Sequence, residues 1–192
     1  MPIANFFIKR IIKAYRDLNH YDEDDIDVIR FALEAILWEV EKILYLAAIF
    51  IMLGYGWQFL ASAVAFISIR QMTGGFHAST AWRCFGWTLF GFALAIIVLP
   101  SLIILNTALI IFLGVSSLAV TAIAAPIYSA QMESVANRDK DKLKKSIAII
   151  LTVILFVLFI IHNEHFLVAV AAWAIFLQNL QLLIVWAYRR KT

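Results

Sequence analysis

Residues 102–125 read LIILNTALIIFLGVSSLAVTAIAA, twenty-four consecutive positions without a charged side chain, closed by Pro126. A bilayer core takes about 20 apolar residues in helical form, so the stretch reads as a membrane-spanning helix rather than a strand. Similar blocks lie on both sides. Toward the C-terminus come 146–161 and 166–188, separated by the short run His162-Asn163-Glu164-His165. Toward the N-terminus comes 80–99, which Pro100-Ser101 is expected to end. Before it lie 57–72, following a Gly54-Tyr55-Gly56 break, and a first block from Ile26 to Leu53. The early turns of that first block carry Arg30, Glu34, Glu39, Glu41 and Lys42, so they must face protein or water. The reading is an all-α polytopic membrane protein, one domain over 1–192, with six transmembrane helices within 26–188 and no internal repeat.

Composition excludes the main alternatives. Apolar residues make up 64% and charged residues 15% of the 192, far from the balance of a soluble domain. Seven glycines, three prolines and one cysteine rule out collagen-like, low-complexity and disulfide-stapled chains. The segment 1–20 has Ile3, Phe7, Ile11, Ala14 and Leu18 at helical spacing, with Lys9, Arg10, Lys13 and Arg16 breaking any signal-peptide core. It reads as an amphipathic helix on an anionic membrane surface, or as a helix packed on the rest of the protein. The acidic run Asp22 to Asp25 then supplies an N-cap for a helix starting near Ile26.

The excess of cations, +3 overall, does not point to a nucleic-acid partner, because it is distributed by topology. Lys and Arg occur in the N-terminal segment, after the second block (Arg70, Arg83), after the fourth (Arg138, Lys140, Lys142, Lys144, Lys145) and in the tail (Arg189, Arg190, Lys191). The other three connections hold none. This alternation fits six spans in a cell membrane with both termini cytoplasmic.

Chemistry concentrates in 70–84, RQMTGGFHASTAWRC, which sets the only cysteine near a histidine, two glycines and two arginines at the expected cytoplasmic edge. Cys84 and His77 form a candidate nucleophile and base. On spacing alone, Cys84 reads more readily as a small packing residue. Seven residues of unbroken helix would separate the pair by about 10.5 Å along the axis, whereas proton transfer needs about 3 Å. A break must intervene, and Gly74-Gly75 is suited to provide it. Free N–H groups at the start of the next helix would then face a developing oxyanion.

Arg70, Gly74-Gly75, His77-Ala78, Thr80 and Cys84 resemble the signature of the AgrB family, membrane cysteine endopeptidases that process the precursor of a bacterial autoinducing peptide. Glu34, Ala125-Pro126 and the basic run Lys140 to Lys145 match further family features, and the likeness covers nearly the whole chain. The Gln-Met-Thr lead-in to the glycines departs from the usual aliphatic or aromatic and Ala residues. So does the connection after Pro126, which lacks a proline-and-lysine-rich stretch. What the resemblance implies is attack by Cys84, activated by His77, on an AgrD-like precursor peptide. The C-terminal tail is released, an acyl-thioester remains on Cys84, and an internal Cys or Ser of the peptide closes a thiolactone or lactone. No cofactor or metal enters that reaction. The family also allows a homodimer, for which Ala61, Ser62 and Ala65 would permit close helix contact.

Supporting residues keep two readings each. Arg70 holds the thiolate or a substrate carboxylate, or is a snorkelling anchor. Glu34 and Glu41, on the same side as Trp38, orient His77 or bind peptide, or Glu34 pairs with Arg30. Thr80 donates to Cys84 or bonds its own helix backbone. Lys140, Lys142, Lys144 and Lys145 attract an acidic precursor, or only set topology. Gln178, Asn179 and Gln181 contact substrate or neighbouring helices. His162 and His165 with Glu164 lack the order of a zinc site, and His20 has no partner pattern. A small-solute transporter or a non-enzymatic scaffold are the competing functions, the former lacking repeated halves.

Overall fold

In the computed structural model the described residues are 2–17, 22–75, 80–127, 138–162 and 166–190. They form helices joined by short turns and extended links, without a strand. The helices are α1 (Pro2–Asp17), α2 (Glu23–Met52), α3 (Gly56–Thr73), α4 (Ala81–Ala93), α5 (Leu99–Leu102), α6 (Thr107–Ala124), α7 (Arg138–Ile161) and α8 (Phe166–Arg189). A π-helical turn, Leu94–Val98, joins α4 to α5.

Local chemistry sets most of these boundaries. Asp22 caps α2 by accepting from the amide of Asp25 at 2.8 Å, and Asn106 caps α6 through Leu109 at the same distance. α2 ends in a Schellman turn, in which Gly54 at φ +83° lets Tyr55 N–H reach the Phe50 carbonyl at 2.7 Å. Ala125, preceding Pro126, is extended and closes α6.

Two sequence expectations are corrected here. Pro100 does not end its helix, which runs on to Leu102. The π turn, in which Leu99 N–H bonds the Leu94 carbonyl, shifts the ladder that a proline ring would otherwise strike. The next helix does not start at Leu102, because the backbone turns extended at Ile103, φ −132° and ψ 111°, and Asn106 sets the start at Thr107.

Among the described residues four helical segments are long and apolar enough to cross a membrane: Trp82–Leu102, Thr107–Ala124, Asp139–Ile161 and Phe166–Arg189. The first two expected spans exist as helices α2 and α3 but fall short of that standard. α2 carries Glu39, Glu41 and Lys42 in its second half, and α3 carries Gln58, Arg70 and Gln71. Large apolar side chains, among them Leu44, Phe90, Phe112, Ile150 and Ile184, project outward, which suits a lipid solvent.

α3 and α6 both pack on α8, and α7 covers α3 and α6. Their shared core contains Ile69, Ile110, Leu113, Phe156, Trp173 and Ile175. Gly114 allows the closest approach, since a Cβ there would lie 2.9 Å from the Phe156 ring. A second core stacks Phe50 on Phe59 and sets Phe92 against both, joining α2, α3 and α4. Ser62 and Ala65, expected at a dimer contact, are buried within this single chain. Their small size serves helix packing here and gives no basis for a homodimer.

α1 lies on the first half of α2. Its buried stripe is Ala4, Ile8 and Ile12 against Ile26, with Ile29, Leu33, Leu37 and Trp38 alongside. Phe7, expected in the apolar stripe, is exposed beside Phe6. The i, i+4, i+8 register of the smaller residues fits the α2 surface, and the two phenylalanines are left facing outward.

Candidate active site

The turn after α3 is fixed from three directions. Gly74 takes φ +74° and ψ −152°, a conformation reserved in practice for glycine. Its N–H bonds the Arg70 carbonyl at 2.8 Å. The preceding carbonyl, that of Thr73, accepts from Ile127 N–H at 2.9 Å, forming an isolated parallel bridge to the segment after α6. A Cβ on Gly74 would lie 1.9 Å from the Ile127 carbonyl oxygen. From α8, Gln178 donates through Nε2 to the Gly74 carbonyl at 2.9 Å.

Gly75 is buried against the same groups. A Cβ on it would sit 3.2 Å from both Arg70 Nη1 and Gln178 Nε2. Arg70 reaches from α3 to α8, donating to Gln178 Oε1 at 3.4 Å and Gln181 Oε1 at 3.5 Å, and its guanidinium lies 5.4 Å from the Phe66 ring centroid. Arg70 is therefore a link between helices, and Gln178 and Gln181 are its partners. Asn179 instead accepts from Thr121 at 2.9 Å and donates to the Ile175 carbonyl, tying α8 to α6.

His77 and the residues around it, 76–79, lie outside the described residues. Thr80 is extended, at φ −134° and ψ 148°, and is the N-cap of α4. No single helix therefore runs from position 77 to Cys84, and the separation computed for an unbroken rod does not apply. Thr80 Oγ1 accepts from Arg83 N–H at 3.3 Å, so its hydroxyl serves the helix backbone. Cys84, half-buried, donates the first amide of the α4 ladder, to the Thr80 carbonyl at 3.0 Å. The sulfur thus sits in the opening turn of a helix, a few residues beyond the pinned glycines.

Sequence reasoning missed a polar contact of that sulfur. Lys42 of α2 is 2% exposed, and its Nζ lies 3.9 Å from Cys84 Sγ while also donating to Glu39 Oε2. A lysine beside Glu39 and Glu41, just before α2 turns apolar, was the available signal.

The two acidic candidates divide. Glu41 is buried and accepts from Ala4 N–H at 2.9 Å and Tyr45 Oη at 2.8 Å. It satisfies one of the open N–H groups at the start of α1, while Trp38 donates to Asn5 at 3.1 Å. This face of α2 is covered by α1. Glu34 is half-buried and makes no ion pair among the described residues; Arg30 pairs with Asp27 at 3.4 Å instead. Lys140 and Lys142 are exposed in the first turns of α7, with Lys144 and Lys145 half-buried beyond them. Of the other histidines, His162 Nδ1 lies 3.1 Å from the Leu158 carbonyl, whereas His20, His165 and Glu164 lie outside the described residues.

Residues 3–182 match the family described as Accessory gene regulator B. The chain belongs to the AgrB family. It is also 28% identical over 161 residues to an AgrB-like protein of Clostridium beijerinckii, covering 84% of this chain and 78% of that protein. No solved structure matches. The resemblance carried by Arg70, Gly74-Gly75, His77 and Cys84 is thus borne out at the level of the AgrB family, which places the chain in the agr quorum-sensing system. Its apolar helices agree with the membrane setting of that system.

Proposed function

We propose that this AgrB-family chain is a membrane-embedded cysteine endopeptidase that shortens and cyclises an AgrD-like precursor. The observation that carries the reading is the position of the sole cysteine. It is half-buried in the first turn of α4, nine residues on from a glycine turn held by Ile127 and by Gln178 of α8.

In this reading His77 takes the thiol proton, and the Cys84 sulfur adds to a backbone carbonyl of the precursor. The resulting oxyanion lies near the open amides of the first α4 turn. When it collapses, the C–N bond breaks and the imidazolium returns its proton to the leaving amine. The rest of the peptide stays on sulfur as a thioester. A Cys or Ser of that same peptide, at high effective concentration, then attacks the thioester carbon. The new ring bond forms as Cys84 leaves as thiolate and is reprotonated. A dry membrane edge protects the thioester from water.

The remaining roles follow. Arg70, Gly74, Gly75 and Thr80 shape the turn and the helix start, and Glu34 is a candidate partner for His77 or the peptide. Lys140, Lys142, Lys144 and Lys145 would attract an acidic precursor segment. Glu41, committed to α1, is no longer proposed as a peptide contact. α2 and α3 join the four apolar segments as spans one and two, both termini and the site face the cytoplasm, and α1 lies at the interface.

The test is mass spectrometry on protein in lipid mixed with an AgrD-like peptide. A shortened peptide and a Cys84-linked adduct are expected. Cys84→Ala should abolish both, and His77→Ala should abolish cleavage without loss of helicity. Cleavage by the Cys84→Ala chain would overturn the proposal, as would solute flux through liposomes with no peptide processing.

A further inference from the structure

We propose that Lys42 is a positioning residue for the reaction, the fixed counter-ion of the Cys84 sulfur. This rests on Cys84 being the nucleophile, but not on any particular peptide. Lys42 is 2% exposed and is among the largest fully buried side chains of the described residues. Taking an ammonium out of water is costly unless it is paired. Glu39, three residues earlier on the same helix, supplies a pair, and its side chain is 36% exposed. That pair alone could stand at the helix surface, where the cost is small. Instead the ammonium is drawn inside, toward α4, and stops 3.9 Å from the only thiol in the chain. A cysteine that merely filled space would be packed more cheaply by an alkyl chain.

Among the described residues Lys42 is the buried positive charge. From α2 come Lys42 and Glu39. α4 itself adds Arg83, which is exposed. The π turn is wholly apolar, and α8 has no charged side chain before Arg189, its polar groups here being Gln178, Asn179 and Gln181. Arg70 is engaged with α8.

Sulfur becomes anionic twice in acyl transfer, when its proton leaves and when the thioester is broken. An ammonium at a fixed distance attracts it on both occasions without itself giving up a proton. Glu39 anchors the ammonium and tempers its charge.

The experiment measures Cys84 alkylation by iodoacetamide as a function of pH, with the full chain in lipid. In Lys42→Met the midpoint should move up by about one pH unit, with a roughly tenfold slower reaction near neutrality. Lys42→Arg should restore most of the reactivity. Glu39→Gln, at a partly exposed position, should move the midpoint the other way and serves if Lys42→Met does not fold. An unchanged profile in a folded Lys42→Met, or in Glu39→Gln when the former is unfolded, overturns the proposal. Shifted profiles in a chain that leaves the precursor uncut would overturn the peptidase reading alone. Cleavage lost in Cys84→Ala beside an unshifted Lys42→Met profile would overturn only the role of Lys42.

Discussion

Gly74 meets two separate constraints, a positive φ and a carbonyl oxygen where its side chain would begin. Gly54 meets only the first, with open space around it. Gly54→Ala should therefore cost about 1 kcal/mol, the expense of a left-handed residue, whereas Gly74→Ala should cost about 3 kcal/mol or more because Ile127 must also move. Thermal unfolding of both variants in the same detergent checks the contrast. Equal losses would mean that the bridge to Ile127 does not matter. A break near the two glycines was legible in the sequence, since Gly74-Gly75 is suited to one. The identity of what holds them was not. Gln178 could be seen only as a polar residue in an apolar helix, and Lys42 only as a charge. A contact between residues 42 and 84 has no periodicity to betray it.

Helices were legible where a local device marks them. Asp22, the Gly54 turn and the Ala125-Pro126 end lie within two or three residues of their expected places. Pro100 misled because a π turn upstream accommodates it, and nothing in the pattern of apolar residues announces that turn. The apolar face of α1 was misassigned for a related reason. Two overlapping stripes exist, and tertiary fit to α2 selected Ala4, Ile8 and Ile12. Glu41 is the chief polar tie between these helices, so Glu41→Ala should raise the hydrogen-exchange rate of the first α1 amides. The loss should be about 1–2 kcal/mol for the buried amide and hydroxyl left without an acceptor. Exchange unchanged in α1 would show that apolar packing alone seats it.

At the scale of the molecule, the described residues include four segments long and apolar enough to cross a membrane and two helices, α2 and α3, that carry more polar side chains. Glu39, Glu41, Lys42 and Arg70 lower the hydropathy of those two while bonding to groups of the protein itself. The six-span reading predicts which sites a membrane-impermeant thiol reagent reaches in intact cells. In a Cys84→Ala chain, Met52→Cys, Ile104→Cys and His162→Cys should label from outside, and Lys142→Cys only after permeabilisation. Failure of Met52→Cys to label, with the other two labelled, would reduce the crossing helices to four.

The clasp that joins Gly74 to Ile127 and Gln178 draws on places far apart along the polypeptide. A ribosome must therefore deliver α8 before that clasp can close, and a half-made chain threaded into the bilayer would keep the glycine turn unfastened until Gln178 has arrived.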